Sequence, residues 1–164
     1  MKNIILVGMS GCGKSTLGKF LSEKLNIPFL DTDKYIEKKE NMSIDEIFRT
    51  KGEKYFRYLE NDILKDLENF NGIISTGGGL PVFNNNMYIL NSLGNTIFLD
   101  VNVDICIKRI LNDKSRPLAK KGNVYLRNLY NERKTIYKKA QYTIECTYKT
   151  LNEILQEMYI ITKN

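Results

Sequence analysis

The chain has 164 residues, 42% of them hydrophobic and 27% charged, and it contains no histidine. That length fits one domain able to build its own core, and the missing histidine removes His-based acid–base chemistry, Ser-His-Asp triads and His-ligated metals. The net charge of +6 favours anionic partners, yet the lysines are dispersed, as in Lys38-Lys39 and Lys138-Lys139, which reads as a solvated surface rather than a nucleic-acid stripe.

Ile4-Ile5-Leu6-Val7 is a continuous apolar run, the pattern of a strand buried on both faces of a parallel sheet. It is too short for the core of a signal peptide, and no apolar run nears the roughly 18–20 residues of a transmembrane helix. From Lys14, the apolar positions Leu17, Phe20, Leu21 and Leu25 fall at helical spacing until Asn26-Ile27-Pro28 stops them. Phe29-Leu30-Asp31 is a second strand, completing a βαβ unit. Residues 33–70 read as helical, with Ser43 and Glu46 as a capping box. Gly72–Thr76 and Thr96–Val101 are further strands, and Ile105–Leu111 is a helix. The polar segment 112–123 reads as a mobile loop or flap. A helix over Tyr125–Ala140, a strand over Tyr142–Cys146 and a closing helix with apolar Leu151, Ile154, Leu155, Met158 and Ile161 finish the chain. The expectation is an α/β fold of three layers over residues 1–164, a five-stranded parallel sheet with helices on both faces. Cys12, Cys106 and Cys146 are scattered without CxxC spacing, which argues against disulfides and structural zinc and for a reducing, cytoplasmic setting.

Gly8-Met9-Ser10-Gly11-Cys12-Gly13-Lys14-Ser15 fulfils GxxxxGK(S/T) between a buried strand and a helix, the context the motif needs. Its backbone N–H groups and the helix N-terminus cradle phosphate oxygens. Lys14 reaches the β- and γ-phosphates, and Ser15 ligates Mg²⁺. Gly11, Cys12, Gly13, Lys14, Ser15 and Thr16 are therefore the expected nucleotide contacts. For Cys12 the plainer reading, a small tolerated side chain, is preferred over a reactive thiol. No NKxD-type guanine-reading motif accompanies the loop.

Four features suggest an acceptor. Asp31-Thr32-Asp33 ends a strand on the side where parallel sheets bind ligands. One carboxylate can serve Mg²⁺ or its water and the other a substrate hydroxyl; the bland alternative is a helix-capping turn. Arg57 and Glu60, three residues apart on one helix face, can present a guanidinium fork to an anion, or form an ordinary surface ion pair. Thr76-Gly77-Gly78-Gly79 leaves a backbone open to close approach, beyond what a tight turn needs. Arg109, Arg116-Pro117-Leu118 and Arg133, in and beside the flap, suit closure over a nucleotide and neutralisation of developing charge.

In order and across nearly the whole chain, GMSGCGKST, DTD, FRYLE, STGGG, SRPL and ERKTIYKKA resemble shikimate kinase, a member of the nucleoside-monophosphate-kinase-like P-loop enzymes. The resemblance implies transfer of the ATP γ-phosphoryl to the 3-hydroxyl of shikimate, in the route to aromatic amino acids. It makes Asp33 the candidate base and hydroxyl contact, gives the shikimate carboxylate to Arg57 and Arg133, and has Gly78 offer a backbone contact. It also sets Lys14 and Arg116 on the transferring phosphoryl, Ser15 and Asp31 at Mg²⁺, and Arg109 and Pro117 near adenine. Glu60 resembles the residue that positions the substrate-binding Arg. ATP with Mg²⁺ and shikimate are then the ligands of a monomer without nucleic-acid or membrane partners. Thr135 and Gln141 depart from the Pro and Asp common in the family's last motif. A gluconate-kinase-like sugar-acid kinase, a nucleoside monophosphate kinase and a non-catalytic nucleotide- or RNA-binding module stand as rival readings.

Overall fold

The structure, a computed structural model, describes residues 2–113 and 117–163. Its strands are β1 (Asn3–Val7), β2 (Phe29–Asp31), β3 (Ile73–Ser75), β4 (Gly94–Asp100) and β5 (Tyr142–Glu145). All pair in parallel, in the order β2-β3-β1-β4-β5. Ile5 stands opposite Ile74 on one side and Thr96 on the other. Every residue of the central β1 is buried, as its unbroken apolar run requires when both neighbours are strands and both faces are covered.

The helices are α1 (Lys14–Leu25), α2 (Thr32–Glu40), α3 (Ile44–Leu67), α4 (Asn86–Leu93), α5 (Val103–Asn112), α6 (Asn123–Tyr137) and α7 (Leu151–Ile161). Right-handed crossovers decide their faces. The step from β1 to β2 runs one way along the sheet, and those from β2 to β3, β3 to β4 and β4 to β5 run the other way. So α1 lies on one face, where α7 packs against it, and the intervening helices belong to the opposite face. From that side Tyr137 of α6 meets Phe98 of β4, ring centroids 5.5 Å apart. Strand order reverses at β1, which puts the switch point, and with it the expected ligand crevice, directly above the loop leaving β1.

Local chemistry explains where the sequence reading and the structure part. The helical stretch 33–70 is two helices, broken at Asn41, which adopts a left-handed φ of 52°. α3 itself bends at Gly52, φ 82°, a conformation that glycine enters without a Cβ penalty. Ser43 caps α3 by accepting from the Glu46 N–H at 3.2 Å, without the reciprocal half of a capping box. α4 was not anticipated, because the polar run Asn84-Asn85-Asn86 hides its start; Asn84 and Asn85 both take positive φ there. Part of the segment read as a flap is a 3-10 helix, Pro117–Lys121, and Lys120 pairs with Asp45 at 3.1 Å. α6 stops at Tyr137, three residues short of Ala140.

A complete capping box does exist, at α7. The Thr150 N–H donates to Glu153 Oε2 at 2.7 Å, and the Glu153 N–H donates back to Thr150 Oγ1 at 3.3 Å. Thr150→Ala removes it, so urea unfolding should show a loss of about 1 kcal/mol with unchanged dependence on denaturant. An unchanged midpoint would show the cap contributes nothing.

Candidate active site

The loop from β1 to α1 is set by its glycines. Gly11 and Gly13 have φ of 80° and 99°, and a Cβ on Gly11 would sit 2.8 Å from the Cys106 carbonyl oxygen. Gly13 caps α1 without a side-chain hydrogen bond, which leaves the first N–H groups of the helix facing the crevice. Lys14 is buried and donates to the carbonyls of Gly8 and Met9, each at 2.9 Å. Its ammonium is thus held on the lip of the loop, where phosphate oxygens can replace those carbonyls. Cys12 is buried beneath the loop, in keeping with the plainer reading of that residue.

Asp31 does two jobs that the sequence presented as alternatives. Its Oδ1 caps α2, accepting from the N–H groups of Asp33 at 3.1 Å and Lys34 at 3.2 Å. Its Oδ2 accepts from Ser15 Oγ at 2.5 Å. Ser75, at the end of β3, adds a second hydroxyl 3.3 Å from Ser15. This all-oxygen group suits a hard cation such as Mg²⁺, which takes few protein ligands and completes its shell from phosphates and water. Among the described residues there is no cluster of three or more His, Cys, Asp or Glu side chains able to hold a metal by themselves. Asp33, two residues on, lies in the crevice with its carboxyl pushed up to about 6, chiefly by burial, then by the charge of Asp31, with Lys14 pulling the other way.

The glycine triplet organises the rest. None of Gly77, Gly78 and Gly79 has positive φ, so their lack of a side chain serves space rather than conformation. A Cβ on Gly77 would strike the Asp33 carboxylate, and one on Gly79 would strike the Arg57 guanidinium. On Gly78 it would crowd Ser10 at 3.3 Å and Arg133 at 3.5 Å. One strand of backbone therefore gathers the carboxylate and both guanidinium groups. The Gly77 N–H is spent on Thr32 Oγ1 at 2.8 Å. Among the described residues the N–H groups of Gly78 and Gly79 have no hydrogen-bond partner.

Arg57 is steered from three sides. Glu60, 1% exposed, accepts from Nη1 at 2.5 Å, Glu53 accepts from Nη2 at 3.0 Å, and Phe83 lies 4.0 Å from the guanidinium carbon. Burial raises the Glu60 carboxyl above its usual range while Arg57 holds it down. Arg133, buried on α6, has no carboxylate within salt-bridge distance among the described residues. Its positive charge lines the cleft beside Gly78, with Glu60 near enough to feel it.

Two clefts open on this arrangement. One, about 460 Å³, is walled by the loop, Arg109 and the β5–α7 segment with Cys146, Thr147 and Lys149. Thr16 lines it, and Arg109 donates to the Gly11 carbonyl at 3.0 Å. The other, about 780 Å³, is walled by Arg57, Glu60, Gly79, Arg133 and the α2–α3 region. They meet at Ser10, Ser15, Asp31, Asp33 and Gly78, which line both. Such a junction can bring a phosphate chain on one side against an anionic, hydroxylated acceptor on the other.

Every residue of the sequence-based set is thus in one crevice, save two. Arg116 lies outside the described residues, and Pro117 is described only as the start of the 3-10 helix. The sequence reading missed Ser75, Phe83 and Tyr137, whose hydroxyl donates to the Gly78 carbonyl at 2.6 Å; it pointed to residues 146–149 for adenine without assigning any of them. Ser75 had a usable signal, a hydroxyl beside the glycine triplet. Tyr137 had none, since its partner is 59 residues away.

A sequence profile of shikimate kinase matches residues 10–162. The shikimate kinase of Sulfurihydrogenibium sp. is 46% identical over 99% of this chain and 98% of its own length. The chain belongs to the shikimate kinase family. The Aquifex aeolicus shikimate kinase is 42% identical over 96% of this chain and 94% of its own. Shikimate kinase from Acinetobacter baumannii, solved in complex with shikimate, superposes with a TM-score of 0.91 at 34% identity, covering 100% of this chain and 95% of that one. Family membership removes the gluconate-kinase-like, nucleoside monophosphate kinase and non-catalytic readings, and the five-stranded P-loop kinase fold is the one expected.

The raised Asp33 carboxyl has a measurable cost. Its affinity for the proton climbs on folding from the ordinary 3.8 to about 6. The folded state thus holds that proton more tightly, and stability falls as pH rises through that window. Asp33→Asn should stabilise the free protein at pH 7.5 by about 1–3 kcal/mol, with the difference fading towards pH 4.5. Urea midpoints equal to or below wild type at pH 7.5 would show that Asp33 is not held at such a cost.

Proposed function

We infer that the chain is an ATP-dependent shikimate kinase, making shikimate 3-phosphate. The single observation that carries this at the level of the site is the meeting of the two clefts. A phosphate-binding loop and a paired-arginine pocket share one border, and Asp33 stands on it. Shikimate has a carboxylate and ring hydroxyls, and each finds a matching group. Arg57, Arg133 and the unpaired N–H groups of Gly78 and Gly79 take the carboxylate, giving charge-assisted hydrogen bonds from several directions. Asp33 takes the hydroxyl.

The phosphates of ATP lie in the loop of Gly11, Cys12, Gly13, Lys14, Ser15 and Thr16. The base lies in the cleft beside Arg109, at the β5–α7 edge. Ser15 and Asp31, with Ser75 beside them, would hold Mg²⁺, which would supply neutralisation of the phosphate charge. The 3-hydroxyl oxygen forms its bond to the γ-phosphorus as the bond to the departing ADP oxygen breaks, and the hydroxyl proton passes to Asp33. Charge in the transferring group rests on Lys14 and, by resemblance, Arg116. A loose transition state asks the protein mainly for position and electrostatics, which accounts for a site without histidine. Asp33, titrating near 6, is a carboxylate at neutral pH yet a better base than an ordinary aspartate. Within this reading the chain acts as one domain and a monomer in the cytoplasm. Three cysteines buried and free of disulfides fit a reducing compartment.

The test is ADP release from Mg-ATP with shikimate, gluconate, AMP or CMP as acceptor, in wild type and Arg57→Ala. Shikimate alone should stimulate wild type. Loss of one guanidinium should raise the shikimate KM by about 10–100-fold, as for a charge-assisted contact, and leave the ATP KM unchanged. Stimulation by another acceptor, or an unchanged shikimate KM in the variant, would contradict the reading.

A further inference from the structure

Tyr137 is fully buried at the last turn of α6, and its hydroxyl reaches the backbone of the glycine triplet from behind the cleft. It donates to the Gly78 carbonyl at 2.6 Å, and the positive charge of Arg133, one helical turn earlier, is felt at the same phenol. Its ring is fixed against Phe98 of β4, so the hydroxyl is anchored to the sheet. Burial keeps the phenol protonated well beyond its ordinary range, which secures it as a donor.

We propose that Tyr137 is a positioning residue for the acceptor's carboxylate, a clamp that fixes the Gly78 peptide and Arg133 relative to each other. The inference rests on the carboxylate site proposed above. A carbonyl held by Tyr137 fixes the Gly78–Gly79 peptide plane, and therefore the direction of the Gly79 N–H on its other side. The same oxygen limits where the Arg133 guanidinium can settle. Two donors from chain positions 54 residues apart, Gly79 and Arg133, are thereby aimed at one anion. An unclamped peptide could rotate, and Arg133 has no carboxylate to restrain it.

Tyr137→Phe removes one oxygen and keeps the ring. The experiment compares shikimate with its methyl ester, which lacks the charge, in wild type, Tyr137→Phe and Tyr130→Phe. Tyr130 is on the same helix but donates to Asp100 at 3.0 Å, away from the triplet, so it controls for loss of a buried phenol. Wild type should strongly prefer the acid. Tyr137→Phe should raise the shikimate KM about tenfold, the size of one lost buried hydrogen bond. Its ester KM, ATP KM and kcat should stay near wild type, so the preference for the acid shrinks about as much. Tyr130→Phe should keep that preference. Full preference retained by Tyr137→Phe overturns the clamp alone. A parallel fall in kcat, both KM values and thermal stability overturns it in favour of a merely structural role. Indifference of wild type to the ester takes away the carboxylate site and the clamp with it. Should Tyr137→Phe fail to fold, the ring-carbon resonance of Tyr137 in wild type labelled at tyrosine Cζ decides. It should move on adding shikimate and stay on adding the ester; no movement with shikimate overturns the proposal.

Discussion

Two missing β-carbons shape this site. Asp33, Arg133 and Arg57 come from α2, α6 and α3, elements that approach from different directions. They converge on the glycine triplet, where Gly77 and Gly79 vacate the volume taken by the Asp33 carboxylate and the Arg57 guanidinium, while Gly78 lies in ordinary contact with Arg133. The backbone there takes ordinary dihedrals, so another residue type would be tolerated by the chain itself. It is the neighbours that forbid it. An added methyl group there would displace the end of the Asp33 or Arg57 side chain from the place it holds in the site.

Charge follows from that geometry. The crevice collects Asp31, Asp33 and Glu60 on one side of the balance, and Lys14, Arg57 and Arg133 on the other. Asp31 is settled by hydrogen bonds from two backbone N–H groups and Ser15. Glu60 is matched to Arg57. Lys14 is held by the Gly8 and Met9 carbonyls, and among the described residues Asp33 and Arg133 have no salt-bridge partner. A ligand carrying both a hydroxyl and a carboxylate satisfies both, which is the electrostatic content of the acceptor assignment. The raised proton affinity of Asp33 and the buried charge of Arg133 are costs the free protein carries for that complementarity.

Legibility in the sequence tracked the range of the interactions. The loop from Gly8 to Ser15 was readable because its mechanism is local: glycines, a lysine and a helix start within eight residues. The sheet was readable because β1 must be apolar on both faces. Asp31 posed a choice between cap and cation ligand, and the answer, one oxygen for each, needed coordinates. The two parts of the acceptor pocket that went unread are long-range or disguised. The α3 bend at Gly52 lies inside a good helical pattern. The hydroxyl of Tyr137 finds its partner 59 residues away. Glycine triplets in sequence suggest ligand contact, yet here their space is first filled by the protein's own side chains. Periodicity cannot reveal that distinction.

The most direct test of this account is Gly79→Ala, since the atoms nearest to a methyl there all belong to the Arg57 guanidinium. Its steady-state constants should show a shikimate KM raised at least about tenfold, because displacing a binding group by an ångström is costly. The ATP KM and the unfolding midpoint should hold. A shikimate KM equal to wild type would mean that Arg57 does not need the vacated volume, and that the triplet does not build the acceptor site.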